Sequence, residues 1–465
     1  NAMLSFAVAL LLTLFAAGAY TDLKDRWERT IYILIALPLL YWTAGAAHFI
    51  FMGWVMIREF RNSLVNKNLF GGVGMLLGVG LLGAAGPLLA SMWMQYPIYR
   101  LMGGIGYYRF PAAIPFVEIG LAALLVVLPF VMAALPEVRK KAIWCGVLQA
   151  LAIAVGGYYF VAAGCDMDKE EAMDYDRLVR NGQWQRVIEK AEKKSPTSPF
   201  GVTCLNLALG MTGQLGDRMF EFYQNGTEGL LPAFQRDFTS PLPTSEAYYH
   251  LGMINTAQRF TFEAMEAIPN FRKSGRCYKR LAETNLINGQ YEVAAKYLRA
   301  LRKTLFYKDW AENTMTYLYN EDKINAHKEW GRLRQLRYTE DFLFSEREMD
   351  IMLGLLYQHD HRNRMAFEYM LAYVMQQRDL ERFMKYYPLG KDAGYNHIPR
   401  SYQEALVYVW TQTHKSFQGM PWSISQQVTK DVTDFARIYT SQQNARPMLQ
   451  ARYGNTYWYY LLFKK

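Results

Sequence analysis

Five long apolar runs dominate the first third of the chain. A helix that crosses the hydrocarbon core of a bilayer needs about 20 consecutive, mainly apolar residues. Only 11 of the 51 Lys and Arg residues and 6 of the 41 Asp and Glu residues fall within residues 1–165. Because helices inside soluble proteins rarely extend this far without charge, we expect a membrane domain over residues 1–165 with about five transmembrane helices. The apolar runs are residues 3–20, 31–57, 69–94, 112–135 and 142–164.

The basic residues of the short loops indicate an orientation, because Lys and Arg accumulate on the cytoplasmic side of a membrane. With five separate spans, six basic loop residues lie on one side and five on the other. The loop EVRKKA before the last run is basic, whereas the following CDMDKEEAMDYD has a single Lys. This local contrast favours a multi-pass protein of the inner membrane, with residues 166–465 on the periplasmic side.

A short motif recurs in the second part of the chain, as NGQW (181–184), TGQL (212–215) and NGQY (288–291). Apolar residues at helical spacing flank each copy, so each is predicted to turn the chain between two helices. Gly182, Gly213 and Gly289 fit the left-handed conformation that ends a helix at little cost. Trp184 and Tyr291 are then expected to pack back onto the joint. Similar units about 30 to 40 residues apart indicate stacked helix hairpins.

The complete prediction is therefore an all-α chain. A transmembrane helix bundle precedes a soluble α-helical repeat domain over residues 166–465. Segments rich in Pro and Ser are predicted as loops between helices, and the longest is expected to border a groove. They are residues 195–199, 239–245 and 388–401. The aromatic tail ARYGNTYWYYLLFKK is expected to dock as a last helix.

The stretch YQHDHRNR offers His359, Asp360 and His361 as metal ligands. Two histidines and a carboxylate are a common ligand set. On one helix, however, residues two apart point in different directions. An interhelical turn is the favoured interpretation, and we assign no metal. The four cysteines form no CxxC pair, which argues against a disulfide framework or a zinc site, and no cofactor is expected.

Ionisable residues within or beside the apolar runs are candidates for a function in the membrane. His48 and Glu118 are the two such residues near the ends of predicted spans. Asp22, Asp25 and Glu28 lie in the first loop, where a carboxylate serves either as a catalytic group or as a lipid-headgroup contact.

The third apolar run contains GGVGMLLGVG, in which Gly74 and Gly78 form a GxxxG pair. A phosphate-binding loop would require a preceding strand and a following soluble helix. Inside an apolar span the same glycines allow two helices to approach closely. We therefore predict that this face packs against another helix.

A cluster of Arg332, Arg334 and Arg337 precedes Glu340 and Asp341. Arginine clusters bind carboxylates or phosphates. The alternative, which the mixed charges favour, is a helix face whose charges pair internally. No signature of a hydrolase, metalloprotease or nucleotide-binding enzyme occurs.

The formal net charge of +10 does not indicate a nucleic-acid-binding protein, because basic and acidic residues alternate along the chain. The expected partners are the lipid bilayer and another protein, with a glycan as a second candidate. The oligomeric state stays open.

The stretches GLLPAFQRDFTSPLPTSEAYYHLGMINTAQRF and RSYQEALVYVWTQTH resemble an uncharacterised family of Bacteroidota membrane proteins. In addition, CYKRLAETNLINGQYEVAAKYLRAL resembles a tetratricopeptide repeat, with Leu281 and Ala282 as its Leu-small pair and Gly289 at its turn. The first resemblance implies a multi-span region followed by a helical, tetratricopeptide-like region. It also implies further spans before Asn1, so the chain is expected to be a fragment. It implies no activity or cofactor.

The sequence is most compatible with an integral membrane scaffold whose helical-repeat domain binds a protein or an extended polymer, in cell-envelope assembly. An envelope enzyme, such as a polymerase, ligase or transferase of lipid-linked glycans, is the alternative, and a transporter subunit is a third. Short loops between the predicted spans favour the scaffold and lean against an enzyme.

Overall fold

The computed structural model describes residues 2–94, 98–102, 104, 124, 127, 131, 142–164, 166–233, 241–268, 273–340, 345–441 and 444–463. Across these residues the chain forms helices and no strand, which confirms the all-α prediction. It divides into two compact units, residues 1–162 and residues 163–465. Each unit is described by itself.

The first unit begins with four long helices that reverse direction at every connection. Arg29 and Glu59 form an ion pair of 2.7 Å. Thirty residues of straight helix would separate them by about 45 Å, so the chain must turn between them. It turns at Gly45, whose φ is 58°. The helices are α1 (Ala2–Asp22), α2 (Arg26–Ala44), α3 (His48–Val65), α4 (Leu69–Trp93), α5 (Ile98–Leu101) and α6 (Ala142–Gly164).

This turn corrects the predicted single span over residues 31–57. An unbroken apolar run contains two antiparallel helices, α2 and α3, joined at Gly45–Ala47. The hydropathy of the run carries no sign of the turn, because the connecting residues Gly-Ala-Ala are themselves apolar. The predicted run 112–135 lies outside the described residues apart from positions 124, 127 and 131.

Helix α4 packs against its neighbours through a different set of glycines from the one predicted. A Cβ atom added at Gly83 would lie 2.3 Å from Sδ of Met52, and one at Gly86 would lie 3.0 Å from the Tyr41 ring. At Gly74 and Gly78 an added Cβ would meet no described atom within 4 Å. Within the described residues, therefore, the predicted GxxxG face makes no close helix contact.

Two helical stretches of the described residues are long and apolar enough to cross a membrane. They are Arg26–Val65, which contains the hairpin turn, and Phe70–Trp93.

The second unit is built from helices that pair as antiparallel hairpins. They are α7 (Met167–Arg180), α8 (Trp184–Lys193), α9 (Pro199–Met211), α10 (Leu215–Arg218), α11 (Pro241–Leu251), α12 (Ile254–Glu266), α13 (Gly275–Ile287), α14 (Tyr291–Leu301), α15 (Lys308–Met315), α16 (Glu321–Ala326), α17 (Lys328–Leu336), α18 (Met349–His359), α19 (Arg364–Gln376), α20 (Leu380–Tyr386), α21 (Arg400–His414), α22 (Gln426–Ser441), α23 (Arg446–Tyr453) and α24 (Tyr457–Phe463). A continuous core of buried apolar side chains connects residues from α7 to α24.

Five turns of this unit share one hydrogen-bonding pattern. In each, a residue with positive φ donates its N–H to the carbonyl three residues back, and the next N–H donates to the carbonyl five residues back. Both bonds close the end of a helix. Gly182, Gly213 and Gly289 occupy this position as predicted, with φ of 63°, 68° and 74°. Gly252 and Arg378 occupy the other two positions, and neither follows the Gly-Gln motif.

The loop predictions were correct in part. Residues 195–198 connect α8 and α9, with the Ser198 hydroxyl capping α9. Of the predicted loop 239–245, residues 241–245 instead form the start of α11, which begins at Pro241, and residues 239–240 lie outside the described residues. Proline is compatible with a first helical turn, where its missing N–H costs no hydrogen bond. Within residues 388–401, a 3-10 helix spans Tyr387–Asp392 and α21 begins at Arg400. The tail forms α24, as expected.

Candidate functional site: a basic cavity

The second unit contains a cavity of about 690 Å³. Its lining comes mainly from α7, α11, α13 and α17. Six of the lining residues are basic and three are acidic, which leaves an excess of positive charge. The basic residues are Arg180, Arg276, Lys279, Arg280, Lys328 and Arg332, and the acidic residues are Glu246, Glu283 and Glu329.

Helical spacing places the polar groups of the cavity on facing surfaces. Residues four positions apart lie on the same side of a helix. Arg276 and Arg280 are related in this way on α13, and Glu246 and His250 on α11. The hydroxyl of Ser274 accepts a hydrogen bond from the backbone N–H of Cys277 and fixes the start of α13 beneath Arg276.

A buried ion-pair network forms the floor of the cavity. Nη2 of Arg280 donates to Oε2 of Glu246 at 2.6 Å, and Nη1 of the same side chain lies 3.1 Å from Oε2 of Glu283. Arg276 donates to both carboxylate oxygens of Asp176, at 2.7 and 2.8 Å. These bonds tie α7, α11 and α13 together across up to 100 residues of sequence.

The two glutamates that share Arg280 have pKa values shifted in opposite directions. Burial by itself raises the pKa of Glu246, but positive charge, chiefly that of Arg280, more than offsets it, and the pKa falls below its ordinary value. Burial also raises the pKa of Glu283, and there Arg280 and Lys279 do not fully offset it. One guanidinium thus contacts both carboxylates, and the balance between burial and positive charge differs between them.

Aromatic groups complete the wall. The guanidinium of Arg280 lies 3.7 Å from the centroid of the Tyr249 ring, close enough for a cation–π contact. The hydroxyl of Tyr249 donates to Glu329 at 2.9 Å. Trp184, predicted to stabilise a repeat turn, contacts the ring of His250 edge-on with centroids 5.1 Å apart. The NGQW motif is thus both a helix turn and part of the cavity wall.

His250 is buried in this wall. Burial, followed by the nearby charges of Arg280 and Arg332, lowers the pKa of His250 to about 4 despite its acidic neighbours. The imidazole is therefore neutral at pH 7. Its approach to Oε2 of Glu246, at 3.9 Å, is a contact between a neutral ring and a carboxylate.

Three cations of the cavity differ from those of the floor. Arg180, Lys328 and Arg332 have no carboxylate within 4.0 Å among the described residues. Arg332 reaches the carbonyl of His250 at 3.5 Å, and burial lowers the pKa of its guanidinium. Arg332 is half-buried and faces the opposing charge of Glu329, whereas Arg180 and Lys328 are exposed. Cations grouped on one concave surface attract an anion.

Comparison with known proteins places the whole chain in one family. Residues 1–464 match the model of DUF6057, a family of unknown function. The chain belongs to this family. No curated protein and no solved structure matches it. Membership of a family without an assigned function is thereby confirmed, while the bacterial source and the tetratricopeptide likeness stay predictions.

The histidines nominated for a metal lie in this DUF6057 chain at the end of α18 and in the following turn. The ring of His359 contacts Tyr338, whereas the ring of His361 contacts Tyr357. Asp360 pairs with Arg362 at 2.7 Å. The described residues contain no group of three or more His, Cys, Asp or Glu side chains placed to hold a metal ion.

The predicted arginine cluster separates into two roles. Arg332 lines the cavity. Arg334 donates to the carbonyls of Leu286 and Ile287, which end α13, and pairs with Glu321. Arg337 donates to the carbonyl of Ile287. The ion pair that forms is with Glu321, whereas Glu340 accepts a hydrogen bond from Tyr338. Asp341 lies outside the described residues.

Tyr291, the aromatic residue of the NGQY turn, takes part in the same contacts. Its hydroxyl lies between Arg334, which donates to it at 2.8 Å, and the carboxylate of Glu321. The turn is thus joined to α16 and α17.

The polar residues nominated in the first unit are not brought together. His48 is fully buried at the start of α3, with Nδ1 2.8 Å from the carbonyl of Gly45. Glu118 lies outside the described residues. Asp22 ends α1, Asp25 precedes α2 and Glu28 lies in the first turn of α2.

Sequence reasoning missed the contact that joins three helices of this unit. Glu59 accepts hydrogen bonds from Tyr20 at 2.9 Å and from Arg29 at 2.7 Å. The available signal was a carboxylate that directly follows the apolar part of α3, between Arg58 and Arg61.

Proposed function

We propose that this chain is a membrane-anchored scaffold. Its first unit spans a bilayer, and its second unit, a stack of tetratricopeptide-like hairpins, holds an acidic segment of a partner protein in the basic cavity. The observation that carries this proposal is the set of three unpaired cations, Arg180, Lys328 and Arg332, above a floor whose charges are already paired. The floor fixes the shape of the cavity, and the three cations supply its affinity.

The surface of the first unit supports membrane insertion. Phe15, Phe70 and Trp93 expose 79%, 94% and 86% of their surface. Soluble monomers rarely expose apolar patches of more than a few hundred Å². Helices α1 to α4 and α6 contain 18 to 25 residues each, which is about 27 to 38 Å of helix, and the hydrocarbon core is about 30 Å thick.

The hairpin between α2 and α3 changes which basic residues lie on each side of the membrane. With four antiparallel helices, the connections after α1 and after α3 lie on the same side. If residues 112–135 also cross the membrane as predicted, EVRKKA joins that side. That side then has nine basic residues in the connections and the adjoining helix ends, against two, Arg100 and Arg109, on the other. The positive-inside rule makes the first side cytoplasmic and the second unit periplasmic.

Reporter fusions test this topology. We expect a periplasm-specific reporter to be active after Ala46, in the hairpin turn, and after Lys169, at the start of the second unit. A fusion after Lys67 should be active only with a cytoplasmic reporter, and it serves as the matched control. Cytoplasmic activity after Lys169 would contradict the proposed orientation. Equal activity after Ala46 and Lys67 would contradict the membrane-spanning hairpin.

An acidic peptide suits the cavity better than a neutral polymer. Several cations around one concave surface attract a chain with repeated carboxylates, and stacked helix hairpins commonly present such surfaces to peptides. The attraction between exposed charges weakens as salt is added, because the Debye length shortens from about 10 Å at 0.1 M salt to about 3 Å at 1 M.

Binding of a fluorescent ten-residue polyglutamate peptide to the full chain in nanodiscs tests the site. We expect Arg332→Gln combined with Lys328→Gln to weaken binding about 10-fold. Each exposed charge contact contributes up to about 1 kcal/mol, and a tenfold change in affinity corresponds to about 1.4 kcal/mol. The control, Lys430→Gln combined with Lys385→Gln, removes two exposed positive charges outside the cavity, from α22 and α20, and should leave the affinity unchanged. Equal loss in both proteins would reduce the attraction to net charge alone and sink the proposed site.

A further inference from the structure

The connection between α14 and α15 presents two large apolar side chains to solvent. Leu305 and Phe306 are 88% and 82% exposed, more than any other large apolar side chain that the structure describes in the second unit. Isolated exposed apolar residues are common on proteins, but two adjacent ones at a loop tip form a projecting apolar point.

The backbone on both sides of this tip is held in place. The hydroxyl of Thr304 donates to the carbonyl of Leu301 at 2.7 Å and accepts from the N–H of Tyr307 at 3.3 Å. The Tyr307 ring packs against α13, where a Cβ added at Gly275 would lie 3.0 Å from it. Leu305 and Phe306 therefore project from a structured turn.

The segment that carries the tip is rich in exposed basic residues. Five basic residues on α14, in the loop and at the start of α15 are exposed, and none has a carboxylate within 4.0 Å among the described residues. Two exposed acidic residues, Glu292 and Asp309, lie on the same segment. The basic residues are Lys296, Arg299, Arg302, Lys303 and Lys308.

We propose that the Leu305–Phe306 loop inserts into the interface of a bilayer that contains anionic lipids. An apolar tip on a segment rich in exposed cations matches the layering of such a surface, in which anionic headgroups cover an apolar interior. A protein partner would instead have to supply a pocket for both side chains. The inference rests on the proposed membrane anchoring, because a tethered unit meets a lipid surface at high effective concentration.

Photochemical crosslinking of the full chain tests the proposal. A benzophenone amino acid replaces Phe306 in one protein and Tyr439, an aromatic residue that is 48% exposed on α22, in the control. Each protein is reconstituted into phosphatidylcholine vesicles with and without 30% phosphatidylglycerol, irradiated and digested, and lipid adducts are measured by mass spectrometry. We expect adducts at position 306, at least fivefold more in the anionic vesicles, and a background level at position 439.

A charge variant separates lipid insertion from unspecific exposure. Arg302→Glu together with Lys303→Glu should reduce the adducts at position 306 at least fivefold, while unchanged hydrogen exchange of residues 241–287 shows that the unit is folded. Adducts to protein at position 306, or equal lipid labelling at positions 306 and 439, would overturn the inference and leave membrane anchoring intact. If the chain fails to enter vesicles at all, the proposed anchoring fails and this inference fails with it.

Discussion

Replacing Arg280 by methionine is expected to lower the free energy of unfolding of the second unit by about 3–5 kcal/mol, the range for breaking a buried ion pair. Arg280 contacts Glu246 at 2.6 Å and Glu283 at 3.1 Å, and both carboxylates are buried. Methionine fills much of the same space but leaves two acidic groups without their main counter-charge. The loss should shrink in acid, where the glutamates are protonated and need no cation.

Lys279→Met is the matched control, because it removes one positive charge from the next residue of the same helix. The Lys279 side chain is 34% exposed and lies 3.6 Å from Glu283. Partly exposed ion pairs contribute about 0–1 kcal/mol. Hydrogen exchange of residues 241–287, followed by mass spectrometry on the full chain in nanodiscs, measures the local free energy of opening. Similar losses in the two variants would show that the floor of the cavity is not a coupled network.

The local features of this fold were accessible from sequence because they depend on neighbouring residues. A helix that ends at Gly182, Gly213 or Gly289 needs a left-handed residue at that position, and glycine adopts this conformation without steric cost. The same geometry at Arg378 escaped prediction, since an arginine pays a strain penalty there and gives no compositional signal. The turn at Gly45 escaped because an apolar connection looks the same as the helices it joins.

The cavity was not predictable in the same way, because its residues come together only in the folded chain. Arg276 and its partner Asp176 are 100 residues apart, and Tyr249 and Glu329 are 80 apart. One signal was available in advance. Glu246 and His250 occupy positions of α11 that are buried, and two polar residues four apart on a buried helical face require partners. The sequence identified Trp184 and Arg332 separately, and the fold places both in one wall.

The stability of the C-terminal helices is expected to increase as the pH falls from 8 to 5, through Glu404. This side chain is 2% exposed on α21 and accepts hydrogen bonds from Arg400 at 3.0 Å and from the backbone N–H of Tyr457 on α24 at 2.6 Å. Burial nevertheless raises its pKa from 4.5 to about 7. The folded chain therefore binds a proton at pH values where the unfolded chain has lost it.

The sign of the effect follows from this difference. A group with a raised folded pKa contributes its full stability below the unfolded pKa and loses it as the pH rises through the folded pKa. Between these two values Glu404 accounts for about 3 kcal/mol. In the Glu404→Gln variant this part of the pH dependence should disappear. The difference in free energy of unfolding between the variant and the wild type should therefore favour the variant more at pH 8 than at pH 5. Hydrogen exchange of residues 400–414 and 457–463, corrected for the intrinsic rate at each pH, measures it.

His250 makes the free energy of unfolding depend on pH with the opposite sign. The effect of Glu404 therefore has to be measured against a control. Its folded pKa is lowered to about 4 from 6.5, so protonation of the unfolded chain destabilises the fold as the pH falls through this range. This contribution is common to the wild type and to Glu404→Gln, and it cancels in their difference. Glu381→Gln, at an exposed position of α20, should follow the wild type. If Glu404→Gln also follows it, the ion pair with Arg400 keeps Glu404 charged, and α24 is then anchored by a carboxylate rather than by a neutral acid.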